Sequence, residues 1–192
     1  MIKRWFRNNL ATSMIIALCF GVYAMQIVAP RMILNYGNIP AMIYVGEYHR
    51  LLTAGFLHAS FTHLTGNMLM LHILGGFLES RGKTKYITIF LISIIGASLL
   101  SFAYFSLLGQ FNAISVGASG GIFGLMGALL VVYRRNRKNP AYKLVGLWLI
   151  RMLVINVVIG ITSPGIDMAA HLGGFATGTL LAVIMEDKPR KS

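Results

Sequence analysis

Residues Tyr86 to Leu108 read YITIFLISIIGASLLSFAYFSLL, an unbroken run without a single charged side chain. A helix crossing a bilayer needs about 20 mostly apolar residues, and this run is long enough. Arg81, Lys83 and Lys85 stand just before it. The rest of the chain agrees with this stretch. Its 192 residues are 56% hydrophobic and 11% charged, whereas a soluble domain carries about 25% charged residues. The chain therefore reads as an all-α polytopic membrane protein, in a single domain over residues 1–192.

Five further apolar runs accompany the first. The spans are expected at about 10–29, 61–78, 86–108, 117–133, 144–162 and 166–185, with a long external loop at 30–60. The first run is too long for a signal-peptide core and no cleavage site follows it, so it is expected to remain as a helix. The 17 Lys and Arg then fall into a pattern. Lys3, Arg4 and Arg7 precede the first span. Arg81, Lys83 and Lys85 lie between the second and third. Arg134, Arg135, Arg137, Lys138 and Lys143 lie between the fourth and fifth, and Lys188, Arg190 and Lys191 follow the sixth. Only Arg31 and Arg50 lie on the opposite side, and Arg151 lies within a span. The positive-inside rule puts both termini in the cytoplasm. The net charge of +12 is topological, and no nucleic-acid partner is expected. The expected partner is the lipid bilayer.

The external loop is rich in Met32, Ile33, Leu34, Tyr36, Ile43 and Tyr44. It reads either as a compact segment buried against the bundle or as a short amphipathic tether. Cys19 is the one cysteine, so no intrachain disulfide forms.

Polar side chains inside a membrane bundle mark its interior or a water cavity. Counted from the nearest cytoplasmic boundary at 1.5 Å per residue, Ser119 and His171 each lie about 22 Å deep and Asn67 about 18 Å. The counts start at Arg134, Glu186 and Glu79. His63 is one turn further out than Asn67, on the same helix face. The run Gly117-Ala118-Ser119-Gly120-Gly121 is poor helix-forming sequence, so the fourth helix should begin near Ser119, after a loop that dips into the bundle. A helix start favours developing negative charge and offers bare N–H groups. Ser119 as nucleophile, His171 as general base, and Asn67 and His63 as oxyanion donors together permit acyl-transfer chemistry.

Other hydrolytic mechanisms fit poorly. The five acids are Glu47, Glu79, Asp167, Glu186 and Asp187, of which only Asp167 is near the candidate depth, so no carboxylate dyad forms. No His-Glu-x-x-His helix binds zinc, and no metal or cofactor is called for. Each residue also has a plainer reading. Gly117, Gly121, Gly124, Gly174 and Gly178 suit small-residue helix packing. Ser119 and His171 suit structural hydrogen bonding, as does His72. Arg151 suits snorkelling, carbonyl binding inside the bundle, or a substrate contact. Asp167, four residues before His171, would face the imidazole on a continuous helix and orient it as in a triad.

Taken in order, the motifs resemble those of rhomboid proteases of the basic six-helix form. Glu47-Tyr48-His49-Arg50-Leu51-Leu52-Thr53 resembles the end of that family's first external loop. His58, His63 and Asn67 match its second-helix pattern, with Glu79 at the cytoplasmic end. Gly117-Ala118-Ser119-Gly120 matches the nucleophile motif, and Ala170-His171-Leu172-Gly173-Gly174 with Gly178 matches the surroundings of the catalytic histidine. The resemblance implies a six-transmembrane-helix rhomboid-like bundle and a serine endopeptidase working by a Ser119–His171 dyad. Asn67, His63 and Ser119 would serve the oxyanion, with Gly117, Gly120, Phe123, His58 and Asp167 as auxiliary residues. It gives Asp167 a loop-anchoring role in place of the triad role. It further implies single-pass transmembrane protein substrates, entering past the fifth helix beneath a cap around Ser163–Ile166. Small size and lack of extra domains suggest a bacterial plasma membrane. Two positions depart from the pattern. Phe123 stands where some members carry Tyr, and His49 stands where Trp is common.

Competing functions remain a non-catalytic relative that binds membrane proteins, and a small transporter. The latter lacks paired interrupted helices in two matched halves.

Overall fold

A computed structural model describes residues 9–163 and 165–185. The basic clusters at both chain ends, Glu186 and Pro164 of the expected cap lie outside the described residues. Among the described residues the fold is all-helical, and its only bridge of extended backbone pairs Asn38 with Ser115. Helix α1 is Leu10–Val28. Three short helices follow, α2 at Met32–Tyr36, α3 at Pro40–Tyr44 and α4 at Arg50–Thr53, which a 3₁₀ turn at Ala54–Phe56 extends. Then come α5 at Phe61–Leu78, α6 at Lys83–Leu107, α7 at Ser119–Arg135, α8 at Pro140–Thr162 and α9 at Met168–Met185.

Local sequence explains several of these boundaries. Ser60 caps α5, its hydroxyl accepting the His63 N–H at 3.1 Å. Proline occupies the first position of α3 and α8, where its missing N–H costs nothing. Against the expected spans, α6 begins at Lys83 and α8 at Pro140, each a few residues early. Lysine aliphatic stems tolerate the first turn of a membrane helix, because the ammonium can reach out of the apolar layer. The fourth helix starts at Ser119 and the sixth at Met168, two residues later than the spans drawn at 117 and 166.

Among the described residues, four helices are long and apolar enough to cross a membrane: α1, α6, α8 from Tyr142, and α9. Their outer surfaces are apolar, with Val28 87% and Ile184 71% exposed. That surface is costly in water and suits lipid. Helix α7 differs, because it is buried by its neighbours on nearly every side, from Gly120 through Leu129 without interruption.

Helices α6, α7 and α9 meet through small residues. A β-carbon on Gly174 would coincide with the Gly120 carbonyl, and one on Gly178 with the Gly124 backbone. One on Gly173 would overlap Leu100 and the Gly96 carbonyl on α6. Without such side chains the backbones approach closely and gain dispersion contacts, which replace the hydrophobic driving force that lipid removes. Gly121 packs on Phe90 of α6. The packing reading therefore holds for Gly121, Gly124, Gly174 and Gly178. It fails for Gly117, which lies outside any helix at φ +131°.

At the far end of the bundle Glu79 is buried, 5% exposed. Its carboxylate accepts the Ala11 N–H at 2.7 Å, the Thr12 N–H at 2.9 Å and the Thr12 hydroxyl at 2.8 Å. The first N–H groups of α1 have no partner within their own helix, and Glu79 serves them while its charge complements the helix dipole. Glu79→Ala would orphan these three donors. We expect a loss of about 3 kcal/mol of stability, read as a lower midpoint in denaturant unfolding of the detergent-solubilised protein, with Glu79→Gln recovering part of it.

Candidate active site

The segment between α1 and α5, a folded loop, holds the residues that precede Ser119. Arg50, 3% exposed, is its hub. The guanidinium donates to the carbonyls of Leu34 at 2.7 Å and Gly37 at 2.9 Å, and pairs with Glu47. The loop so folded is laid along residues 111–117. Asn38 and Ser115 exchange both backbone hydrogen bonds at 3.0 Å, the Ala41 N–H donates to Phe111 and the Gly117 N–H to Ala54, both at 2.9 Å. The Asn38 side chain reaches the Ser98 carbonyl of α6 at 2.9 Å. The segment before α7 is thus non-helical backbone whose polar groups are met by the loop, the condition for such backbone at membrane depth. The compact reading of the loop holds and the tether reading does not. His49 makes an edge contact with the Tyr36 ring, at 6.0 Å between centroids, and its Nε2 lies 3.5 Å from the Asn35 carbonyl oxygen.

Ser119 is the first residue of α7. Its face continues through Phe123 one turn on, whose ring stacks on the His171 imidazole with centroids 4.2 Å apart and planes at 13°. The stack sets the imidazole over the face of α7 that carries Ser119, and the Gly120–Gly174 contact brings the two helix starts close enough for it. The missing Tyr hydroxyl at position 123 leaves the stacking intact. Ser119 and His171 make no hydrogen bond to each other, and His171 Nδ1 has no partner among the described residues. Such bonds often tighten only once substrate is bound.

His63 and Asn67 approach from α5. A β-carbon on Gly117 would lie 2.7 Å from the His63 ring and 3.5 Å from Asn67 Nδ2. Both side chains therefore sit directly against the backbone two residues before Ser119. Asn67 Nδ2 is buried without a partner among the described residues, a donor free to meet a new acceptor. Ser119, Gly120, Phe123, His171, His63 and Asn67 all line one cavity of about 1270 Å³. Asn156 and Gly160 of α8 line it as well. The sequence reading passed over Asn156, the one amide in an otherwise apolar stretch of α8.

His58 lies behind this wall, 1% exposed. Its backbone is held by the Gln26 amide of α1, which donates to the His58 carbonyl and accepts its N–H, both at 3.0 Å. Its ring meets the edge of the His63 ring at 5.2 Å. Burial, with His63 beside it, pushes the His58 imidazole down to about 4, so it is neutral near pH 7 and supports His63 from outside the cavity. Gln26 was not anticipated, although an amide inside an apolar span is itself a signal of an internal partner.

Asp167 precedes the first residue of α9, and its side chain makes no hydrogen bond to His171, although its backbone carbonyl accepts the His171 N–H at 3.3 Å. It caps the helix, one oxygen accepting the Ala170 N–H at 2.9 Å and the other the Ser101 hydroxyl at 2.5 Å. The triad alternative is corrected on this point, since neither carboxylate oxygen bonds the imidazole, whose Nδ1 has no partner among the described residues. Arg151 is exposed on α8, so the reading in which it binds carbonyls inside the bundle is corrected too. His72 is half-buried on α5, outside the cavity lining.

The fold is a bundle of apolar helices whose serine, histidines and amides converge on one cavity. The comparisons give that class a family. The Rhomboid domain profile matches residues 45–188. RHOMBOID-like protein 1 of Arabidopsis thaliana is 39% identical over 80% of this chain and 38% of its own length. Rhomboid protease AarA of Providencia stuartii is 31% identical over 94% of this chain and 74% of its own length. Rhomboid protease GluP of Bacillus subtilis (strain 168) is 35% identical over 76% of this chain and 27% of its own length. The chain belongs to the rhomboid family and is a multi-pass integral membrane protein. It spans less than half the length of several of the plant relatives it matches. Those relatives come from a plant as well as from bacteria, so they do not support the expectation of a bacterial plasma membrane.

Two outcomes test this geometry. Gly117→Ala would drive a β-carbon into His63 at a φ that L-residues avoid. We expect it to lower any hydrolytic activity of the site roughly a hundredfold, and the strained φ to lower the unfolding midpoint as well. Asp167→Asn keeps an acceptor for Ala170 N–H and a group able to pair with Ser101, so it should retain most of that activity. A loss as deep as that of Ser119→Ala would restore the triad.

Proposed function

We propose that the chain is an intramembrane serine endopeptidase that cuts membrane-spanning segments of other proteins by a Ser119–His171 dyad. In this reading six helices cross the bilayer, α1 and α5 to α9, with both termini in the cytoplasm. The single observation that carries the proposal is the stack of Phe123 on His171 one turn below Ser119, at a cavity shared with an unpartnered Asn67 amide.

The chemistry follows from those positions. Ser119 Oγ attacks the scissile carbonyl carbon while His171 takes its proton. The carbonyl oxygen becomes an oxyanion held by the Asn67 amide, the His63 ring and the Ser119 N–H at the start of α7, where the helix dipole favours negative charge. His171 then returns the proton to the leaving amine. A water molecule, deprotonated by His171, attacks the acyl-enzyme and frees Ser119. No cofactor or metal enters any step. The cavity's size and polar wall suit the admission of water, which hydrolysis needs inside an apolar bundle.

The test is cleavage of single-pass substrates by the purified protein in proteoliposomes. Ser119→Ala and His171→Ala should reduce product to background. Asn67→Ala should lower kcat by roughly 10²–10³, the cost of one oxyanion donor, with a smaller effect on KM. Equal cleavage by the wild type and Ser119→Ala would sink the assignment, and a folded protein that binds such segments without cutting them would make it a non-catalytic relative.

A further inference from the structure

Among the described residues, helix α1 contributes nothing to the cavity lining, yet its last turn carries a buried amide. Gln26 is 7% exposed. Its Nε2 donates to the His58 carbonyl and its Oε1 accepts the His58 N–H, both at 3.0 Å. A primary amide offers a donor and an acceptor side by side, so Gln26 pairs with residue 58 as a neighbouring strand would. Holding α1 in the bundle does not call for this amide. The other end of α1 is already fastened by Glu79, and an apolar side chain would fill the same volume without burying polar atoms. What the amide adds is a fixed place and direction for the backbone at residue 58.

Residue 58 stands in the non-helical link between the 3₁₀ turn at Ala54–Phe56 and the start of α5. Each end of this stretch holds one side of the oxyanion wall. At one end the Ala54 carbonyl accepts the Gly117 N–H at 2.9 Å. At the other the Ser60 hydroxyl accepts the His63 N–H at 3.1 Å. Gly117 and His63 are the two groups that meet so closely that a β-carbon on Gly117 would lie 2.7 Å from the ring. The stretch from Ala54 to Ser60 therefore bridges that contact, and Gln26 pins it between the two ends. The His58 ring adds a direct path, its edge contact with the His63 ring spanning 5.2 Å between centroids. Tyr23, three residues before Gln26 and so on the same face of α1, packs against the ring of Phe61, the first residue of α5, at 6.3 Å. Helix α1 thus grips the approach to His63 at two places while standing outside the cavity.

We propose that Gln26 is a positioning residue for the reaction: by clamping the backbone of residue 58, it holds the His63 ring in place against Gly117, where the oxyanion forms. The proposal rests on the protease reading for the reaction, and not for the clamp itself. An oxyanion donor acts only when aimed at the place where charge develops, so a clamp on its support acts on the transition state and leaves ground-state binding of the substrate alone.

The test compares the full chain with two variants in proteoliposomes holding a single-pass substrate. Gln26→Met keeps the length of the side chain and loses both bonds to residue 58. Thr12→Val is the control, losing a hydroxyl bond to Glu79 at the opposite end of α1. Gln26→Met should lower kcat about tenfold, short of losing a donor outright, with KM unchanged, while Thr12→Val keeps the wild-type kcat. In a His63→Ala background the same Gln26→Met change should cost little, because the group it positions is gone. A second measurement needs no turnover: in protein carrying isotope-labelled histidine, the ring resonances of His63 should move in Gln26→Met and stay in place in Thr12→Val. A loss of kcat that persists undiminished in His63→Ala, an equal loss in Thr12→Val, a change confined to KM, or unmoved His63 resonances would overturn the proposal. If the wild type cleaves nothing while the His63 resonances still move in Gln26→Met, the protease reading fails and the clamp stands.

Discussion

The close approach of α7 and α9 is the constraint on which the rest of the molecule depends. At Gly120 facing Gly174, and at Gly124 facing Gly178, backbone meets backbone with no room for a side chain. In lipid two helices gain little by hiding apolar surface from each other, so contact quality decides association. Close contact here does more than hold the bundle together. It sets the start of one helix beside the start of the other, and Phe123 then has the His171 ring at stacking distance. Small residues in membrane helices read as packing. Here the glycines also place Phe123 against His171.

A second arrangement makes the first usable. Ser119 begins a helix in mid-bundle, so the backbone before it must reach that depth without helical hydrogen bonds of its own. The loop between α1 and α5 supplies them, through the Asn38–Ser115 pair and the bonds to Ala41 and Ala54. The loop in turn keeps its shape because Arg50 gathers the carbonyls of Leu34 and Gly37. Gly117, at φ +131°, makes the turn and leaves space for His63 and Asn67. A buried arginine in the segment between α1 and α5, distant in sequence from Ser119, thus belongs to the same assembly as Ser119.

How much of this was legible depended on range. Apolar run length located α5 to the residue, because Ser60 caps it and Glu79 ends it. It set α6 and α8 too short, because hydropathy undervalues the lysine stem and the proline at a helix start. Helix α7 carries the weakest apolar signal of the long helices, and the reason is physical: enclosed by protein, it needs glycines where a lipid-facing helix needs leucines. Asp167 misled through spacing. Four residues before His171 suggests a shared face only if the helix is continuous, and Asp167 caps it instead. Gln26 and Asn156 were passed over, since a lone polar residue in an apolar run names no partner until the neighbouring element is known.

By itself the sequence determined the class of the protein, the level of each polar group along its helix, and the chemistry those groups permit. These follow from composition and from a fixed rise per residue, which are local properties. Tertiary structure alone decided which of the polar groups face one another. It put Asn67 and His63 against Gly117, turned Arg151 outward, and engaged Asp167 with Ser101. Such choices depend on helix rotation and on how closely backbones can approach. Both are set by side chains on other helices, so no one stretch of sequence contains them.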